Sequence, residues 1–142
     1  MLWILVLIAI IACFVLFYIL WPIELSPVEL EQAKCHGIYH ITPKKNLLNI
    51  ISGNNATILV SKGVYQNLGN LKIGKSAFYF KSVPDGSEVA KNLFGRGLIS
   101  PLYIIHLDIS KIDQKLYRRR ADCAILIPAS ITVPVKSQRL YS

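Results

Sequence analysis

The sequence predicts an α+β domain carried behind a single membrane-spanning helix. Two observations lead there. The first 21 residues, M-L-W-I-L-V-L-I-A-I-I-A-C-F-V-L-F-Y-I-L-W, contain no charged side chain. The remainder alternates short β-branched runs with a few helix-like stretches, punctuated by Gly, Pro and Asn.

The N-terminal run is read as a transmembrane helix over residues 1–22, with 2–21 in the lipid bilayer. Roughly 20 apolar residues rising about 1.5 Å each cover a hydrocarbon core of about 30 Å. Trp3, Tyr18 and Trp21 stand near its ends, where amphipathic rings favour the interface, and Pro22 closes it. A cleaved signal peptide would want a basic start and a shorter apolar run. Nothing basic precedes the helix, and Lys34, Lys44 and Lys45 follow it. The positive-inside rule therefore places the C-terminal domain in the cytoplasm of a single-pass membrane protein.

Charge is distributed unevenly. The chain carries +8 overall, but all 16 Lys and Arg and only five of the eight acids lie beyond residue 33, giving that part +11. Such a domain favours anionic partners: phosphate-bearing substrates, nucleic acid or an anionic lipid surface. Cys13, Cys35 and Cys123 form neither a C-x-x-C nor a repeating framework, so no metal and no disulfide scaffold is expected.

Residues 23–35 read as a juxtamembrane linker, with a short helix starting at Ser26 or Pro27 and running to Lys34. Residues 36–142 read as one domain. Residues 38–42 form its first strand. Thr42 suits an N-cap and Pro43 the first helical position. Leu47, Leu48, Ile50 and Ile51 supply the helical apolar face, which Gly53 and Asn54 stop. Residues 56–60 and 76–80 read as strands. A second helix, capped near Asp85 or Ser87, carries Val89, Ala90, Leu93 and Phe94. Residues 102–108 make the strongest strand, 113–117 a turn, 123–128 a core strand, and 131–135 a short strand ahead of a polar tail.

Three features carry chemistry. His40 and Thr42 stand two apart on a strand, so they share one face. Tyr79 lies in the apolar strand F-Y-F. Asp122 follows Arg118-Arg119-Arg120 and precedes C-A-I-L-I-P. Each also has an ordinary structural reading: a core histidine beside a cap, a packing tyrosine, an ion-paired surface acid. Gly69-Asn70-Leu71-Lys72-Ile73-Gly74-Lys75-Ser76 satisfies the P-loop string. However, Ser76 leads into a strand, whereas a P-loop must open a helix whose N–H groups meet the phosphates.

Taken in order, I-Y-H-I-T-P-K-K-N-L-L-N-I-I-S-G, S-A-F-Y-F-K-S-V-P-D-G-S-E-V-A-K and A-D-C-A-I-L-I-P-A-S-I-T-V-P resemble the mono-ADP-ribosyltransferase superfamily, of the H-Y-D/E type shared by diphtheria-type toxins and poly(ADP-ribose) polymerases. The resemblance implies a small domain with a split, mainly antiparallel sheet over residues 36–142. It implies NAD as ADP-ribose donor, nicotinamide release, and a protein or nucleic-acid acceptor. His40 would hydrogen-bond the adenosine ribose with help from Thr42. Tyr79 would stack on the nicotinamide ring, and Asp122 would support the charge that develops as nicotinamide leaves. Thr42, Tyr39, Phe80, Lys81 and Arg120 make up the implied cofactor-binding set, the two cations facing the diphosphate. Arg120 stands two residues before Asp122, where arginine-directed members carry Glu or Gln. Two alternatives stand beside this reading. One is a non-enzymatic membrane-anchored binding or immunity-type protein. The other is an NAD-dependent RNA 2′-phosphotransferase, for which His106 and Arg120 are the extra residues.

Overall fold

In the computed structural model of the chain, which describes residues 2–58, 77–86, 101–118, 120, 124–127 and 130–141, the uncharged run forms one helix, α1 (Leu2–Leu20). Its 18 residues Leu2–Ile19 are long and apolar enough to cross a membrane, and none is buried against the rest of the chain. The elements that follow are β1 (Ile23–Glu24), α2 (Pro27–His36), β2 (Ile38–Pro43), α3 (Lys44–Ile50), β3 (Ile51–Ser52), β4 (Asn55–Ile58), β5 (Ala77–Tyr79), β6 (Leu102–Leu107), β7 (Tyr117–Arg118), β8 (Ile125–Ile127) and β9 (Ile131–Leu140). Residues 83–86 are helical, so the second expected helix opens ahead of its expected cap at Asp85 or Ser87; Asp85 lies inside it, and its N–H donates to the Ser82 hydroxyl at 3.4 Å. The remainder of that helix, the P-loop-like string and Asp122 lie outside the described residues.

The strands form two antiparallel sheets, ordered β1-β7-β8-β5 and β2-β6-β9-β4-β3. Among the described residues they meet at one bridge, where Tyr39 and Phe80 exchange both backbone hydrogen bonds at 2.9 Å. The apolar alternation of the sequence explains the main core. Ile38, Ile105 and Leu107 from one sheet and Tyr79, Ile125 and Ile127 from the other are all fully buried in a single cluster. β-branched residues fit this pleated, enclosed surface.

The segment expected as a linker is instead part of the fold. Leu25 and Ala33 are buried in the main core, and β1 pairs with β7. Ser26 caps α2 through a full capping box with Glu29, and Pro27 takes the first turn. The helix stops at Gly37, whose φ of 83° and ψ of −176° only glycine adopts readily. Its N–H still reaches Ala33 O at 2.9 Å.

Three boundaries differ from the sequence reading, each because ladder pairing outweighs local preference. Thr42 and Pro43 remain strand, since β2 pairs with β6 through Pro43↔Leu102 and Lys44 N–H donates to Pro101 O at 2.9 Å. Pro43 then occupies the N-cap position of α3 without a side-chain cap. Ile51 and Ser52 leave the helix to pair with Ala56 and Asn55, so Gly53 (φ 61°) serves a hairpin turn. The polar tail continues β9 to Leu140. Its first half pairs with β4 and its second half with β6, with a bulge beside Lys136. Residues 136–140 are exposed, so backbone hydrogen bonds rather than buried side chains hold them in the sheet.

The glycines differ in what a side chain would meet. A Cβ on Gly37 would lie 2.4 Å from Leu107 O and 2.7 Å from His106 Nε2, whereas one on Gly53 meets nothing within 4 Å. Gly37→Ala is expected to cost about 3 kcal/mol and Gly53→Ala about 1 kcal/mol. Denaturant unfolding of both variants in detergent micelles measures the difference.

Candidate functional site

The register of the sheet junction places the first candidate pair. In an antiparallel pair, one step along either strand leads to the next facing pair. With Tyr39 opposite Phe80, His40 falls opposite Tyr79. Their ring centroids lie 5.0 Å apart at an interplanar angle of 43°. His40 is half-buried, Tyr79 is fully buried and Thr42, on the same face as His40, is 2% exposed. The structure thus brings His40 and Tyr79 into contact and sets Thr42 in the core beside them.

Tyr79 is an unusual core residue. Its hydroxyl is buried with no hydrogen-bond partner among the described residues. Burial raises its pKa well above 10, so the phenol stays neutral and keeps its proton to donate. An unsatisfied buried hydroxyl costs about 1–3 kcal/mol.

The remaining candidates are placed elsewhere. Tyr39 points to the opposite face and stacks on His106, with centroids 4.4 Å apart and planes within 15°. Phe80 is buried with Ala124 and Leu126 in a separate cluster. Both contribute to the junction through their backbones. Lys81 Nζ lies 3.5 Å from Glu29 Oε1. Arg120 Nη1 donates to Tyr18 O at 3.1 Å, and its guanidinium sits 3.8 Å above the Tyr18 ring centroid. It therefore binds the end of α1 rather than the His40 face. Asp122 stands three residues before Ile125, the facing residue of Tyr79 across β5 and β8.

Two residues organise the surroundings: Glu29, which carried no role in the sequence reading, and His106, which entered it only for the 2′-phosphotransferase alternative. Glu29 accepts from Ser26 N–H at 3.0 Å and from the Ser26 hydroxyl at 2.9 Å. It also faces Lys81 and, at 3.0 Å, Arg118 Nε. The Arg118 contact is one of charge, because that Nε makes no aligned hydrogen bond. The hydrogen bond from Ser26 N–H, which is the largest effect, joined by the Ser26 hydroxyl and by Arg118 and Lys81, holds the Glu29 carboxyl below its usual value of 4.5, against burial, which is the second-largest effect and opposes it. The string S-P-V-E, a serine with an acid three residues later, is the sequence signal for this role. His106 is the second. Its Nε2–H donates to His36 O at 2.7 Å, closing the C-terminus of α2. Only an alternation argument pairing it with Tyr39 would have found it.

A separate groove of about 490 Å³ is lined by Asp108, Ser110, Lys111, Asp113, Thr132 and Pro134, among others. The Asp108 carboxylate accepts from Ser110 N–H at 2.9 Å, which lowers its pKa below the ordinary 3.8. Among the described residues, no three His, Cys, Asp or Glu side chains gather as a metal ion would require. The chain matches no protein-family model, no curated protein and no solved structure.

Two outcomes follow. Because the folded pKa of Glu29 is depressed, its contribution is complete above the ordinary value of 4.5 and is lost as pH falls through the folded value. Glu29→Gln should therefore cost about 1 kcal/mol at neutral pH, and its deficit relative to wild type should shrink below pH 4.5. Unfolding curves across that range read this directly. Tyr79→Phe removes an unpartnered hydroxyl and is expected to leave stability unchanged or raise it by about 1 kcal/mol. A clear loss on denaturant unfolding would mean that the hydroxyl has a partner.

Proposed function

We propose that the chain is a membrane-anchored ADP-ribosyltransferase, with α1 in the bilayer, the domain on the cytoplasmic side, NAD as donor, and a protein or nucleic acid as acceptor. The observation that supports it is the His40–Tyr79 pair at the sheet junction. A half-exposed imidazole there is backed by a tyrosine kept at a cost to the core. An imidazole both donates and accepts, as a ribose diol requires. The neutral Tyr79 hydroxyl adds one unspent donor behind it.

The roles differ in one respect from those the resemblance implies. Tyr79 is enclosed and tilted against His40, so in this proposal it positions the imidazole rather than stacking on nicotinamide. Bound NAD supplies an N-glycosidic bond whose cleavage releases nicotinamide and leaves an electrophilic ribose carbon. His40 holds the adenosine ribose, and the Asp122 carboxylate faces the positive charge that develops. The +11 charge beyond residue 33 suits both the NAD diphosphate and an anionic membrane face.

The test uses the full chain in nanodiscs with adenylate-labelled NAD. Nicotinamide release or a labelled product is expected, and His40→Ala should lower either by about a hundredfold. Tyr79→Phe should lower activity while leaving stability intact. Absence of release, of labelled product and of any NAD-induced thermal shift would discard the proposal.

A further inference from the structure

We propose that Arg120 is a lipid-headgroup contact: its guanidinium, seated on the last turn of α1, binds the phosphates of anionic phospholipids and holds the β1–β7 edge against the bilayer surface. The inference rests on the insertion of α1 and is independent of NAD chemistry. Arg120 lies 102 residues from Tyr18 in sequence, yet donates to its carbonyl oxygen at 3.1 Å. One face of the guanidinium is covered by the Tyr18 ring at 3.8 Å. Tyr18 stands two residues before the end of α1, with Trp21 tilted against Phe17 one turn away, their ring centroids 4.3 Å apart. Aromatic rings at a helix end lie at headgroup level, so the guanidinium lies there too.

The neighbouring cations are already matched. Lys115 faces Glu24 at 3.0 Å and Arg118 faces Glu29 at 3.0 Å. Among the described residues, Arg120 has no carboxylate within ion-pair distance, and it is exposed. The carbonyl and ring use one N–H and one face, and the planar fork keeps further donors directed outward. At headgroup level the anion within reach is a phosphate, which Arg binds through two parallel N–H groups. β7 follows the same geometry. Arg118 faces Ile23 across the β1–β7 ladder, and Ile23 lies three residues after the end of α1.

Hydrogen exchange of the full chain in nanodiscs, with phosphatidylcholine alone or mixed with phosphatidylserine, tests this. Amides of β1 and β7 in the wild type should exchange about fivefold more slowly in the anionic discs, the factor one arginine at such a surface carries. Arg120→Ala should lose that lipid dependence, and Arg120→Lys should keep only part of it. Exchange along β6 and β9 should be the same in all three proteins, which verifies that the variants fold. A wild type that inserts but exchanges alike in both lipids would overturn the proposal alone, as would full lipid dependence in Arg120→Ala. A wild type stripped from the discs by carbonate would overturn the insertion reading and this proposal with it.

Discussion

The paired hydrogen bonds between Tyr39 and Phe80 are the constraint on which the rest of the domain depends. Each backbone hydrogen bond contributes only about 1 kcal/mol net, so their weight lies in position. Among the described residues they are the bridge between the sheets, and they fix the register of one against the other. A shift of one residue would exchange faces. His40 would then leave Tyr79, whereas Tyr39 would keep His106, its partner within the β2–β6 ladder.

Helix α2 closes a ring around that bridge. Its N-terminal end, through Glu29, holds Lys81 beside β5 and Arg118 on β7. Its C-terminal end is held by His106 on β6 and by Lys136 on β9, whose Nζ reaches Cys35 O at 3.3 Å. Both assignments agree with the helix dipole, an acid at the N-terminus and, at the C-terminus, the Lys136 cation beside a ring N–H donor. The helix thus spans the seam between the sheets, bound to one at each end. His106 completes the ring, because it stacks on Tyr39 while bonding to α2.

Much of this was legible in the sequence, and the exceptions share a cause. Residues 102–107 announced a strand through Leu-Tyr-Ile-Ile-His-Leu, and the uncharged start announced α1. Local pattern sufficed in both cases. Residues 136–140 did not announce a strand, because K-S-Q-R-L buries nothing and is held by a ladder to residues far away in sequence. The segment 23–35 looked like a linker because it is short and holds Pro27 and three of the chain's eight acids, yet Leu25 and Ala33 are buried in the main core. Within the site, His40 and Tyr79 could be named singly, but only the bridge register places them face to face. Tyr39, grouped with His40 in the set the resemblance implies, faces the opposite side of β2, as period-two alternation requires. Lys81 and Arg120 show the limit for charge: a sequence supplies cations without saying which carboxylate or carbonyl each will meet.

Only Trp21 and Pro22 separate α1 from β1, and Pro22 is buried. The domain therefore has no leash. Counting β1, β7, β8, β5 and then β2 across the bridge gives four strand spacings, or roughly 20 Å at about 4.8 Å each. Any molecule touching His40 must come within that reach of the strand that follows α1. With α1 inserted in a bilayer as proposed, its encounter with this protein would be a search over a surface rather than through a volume.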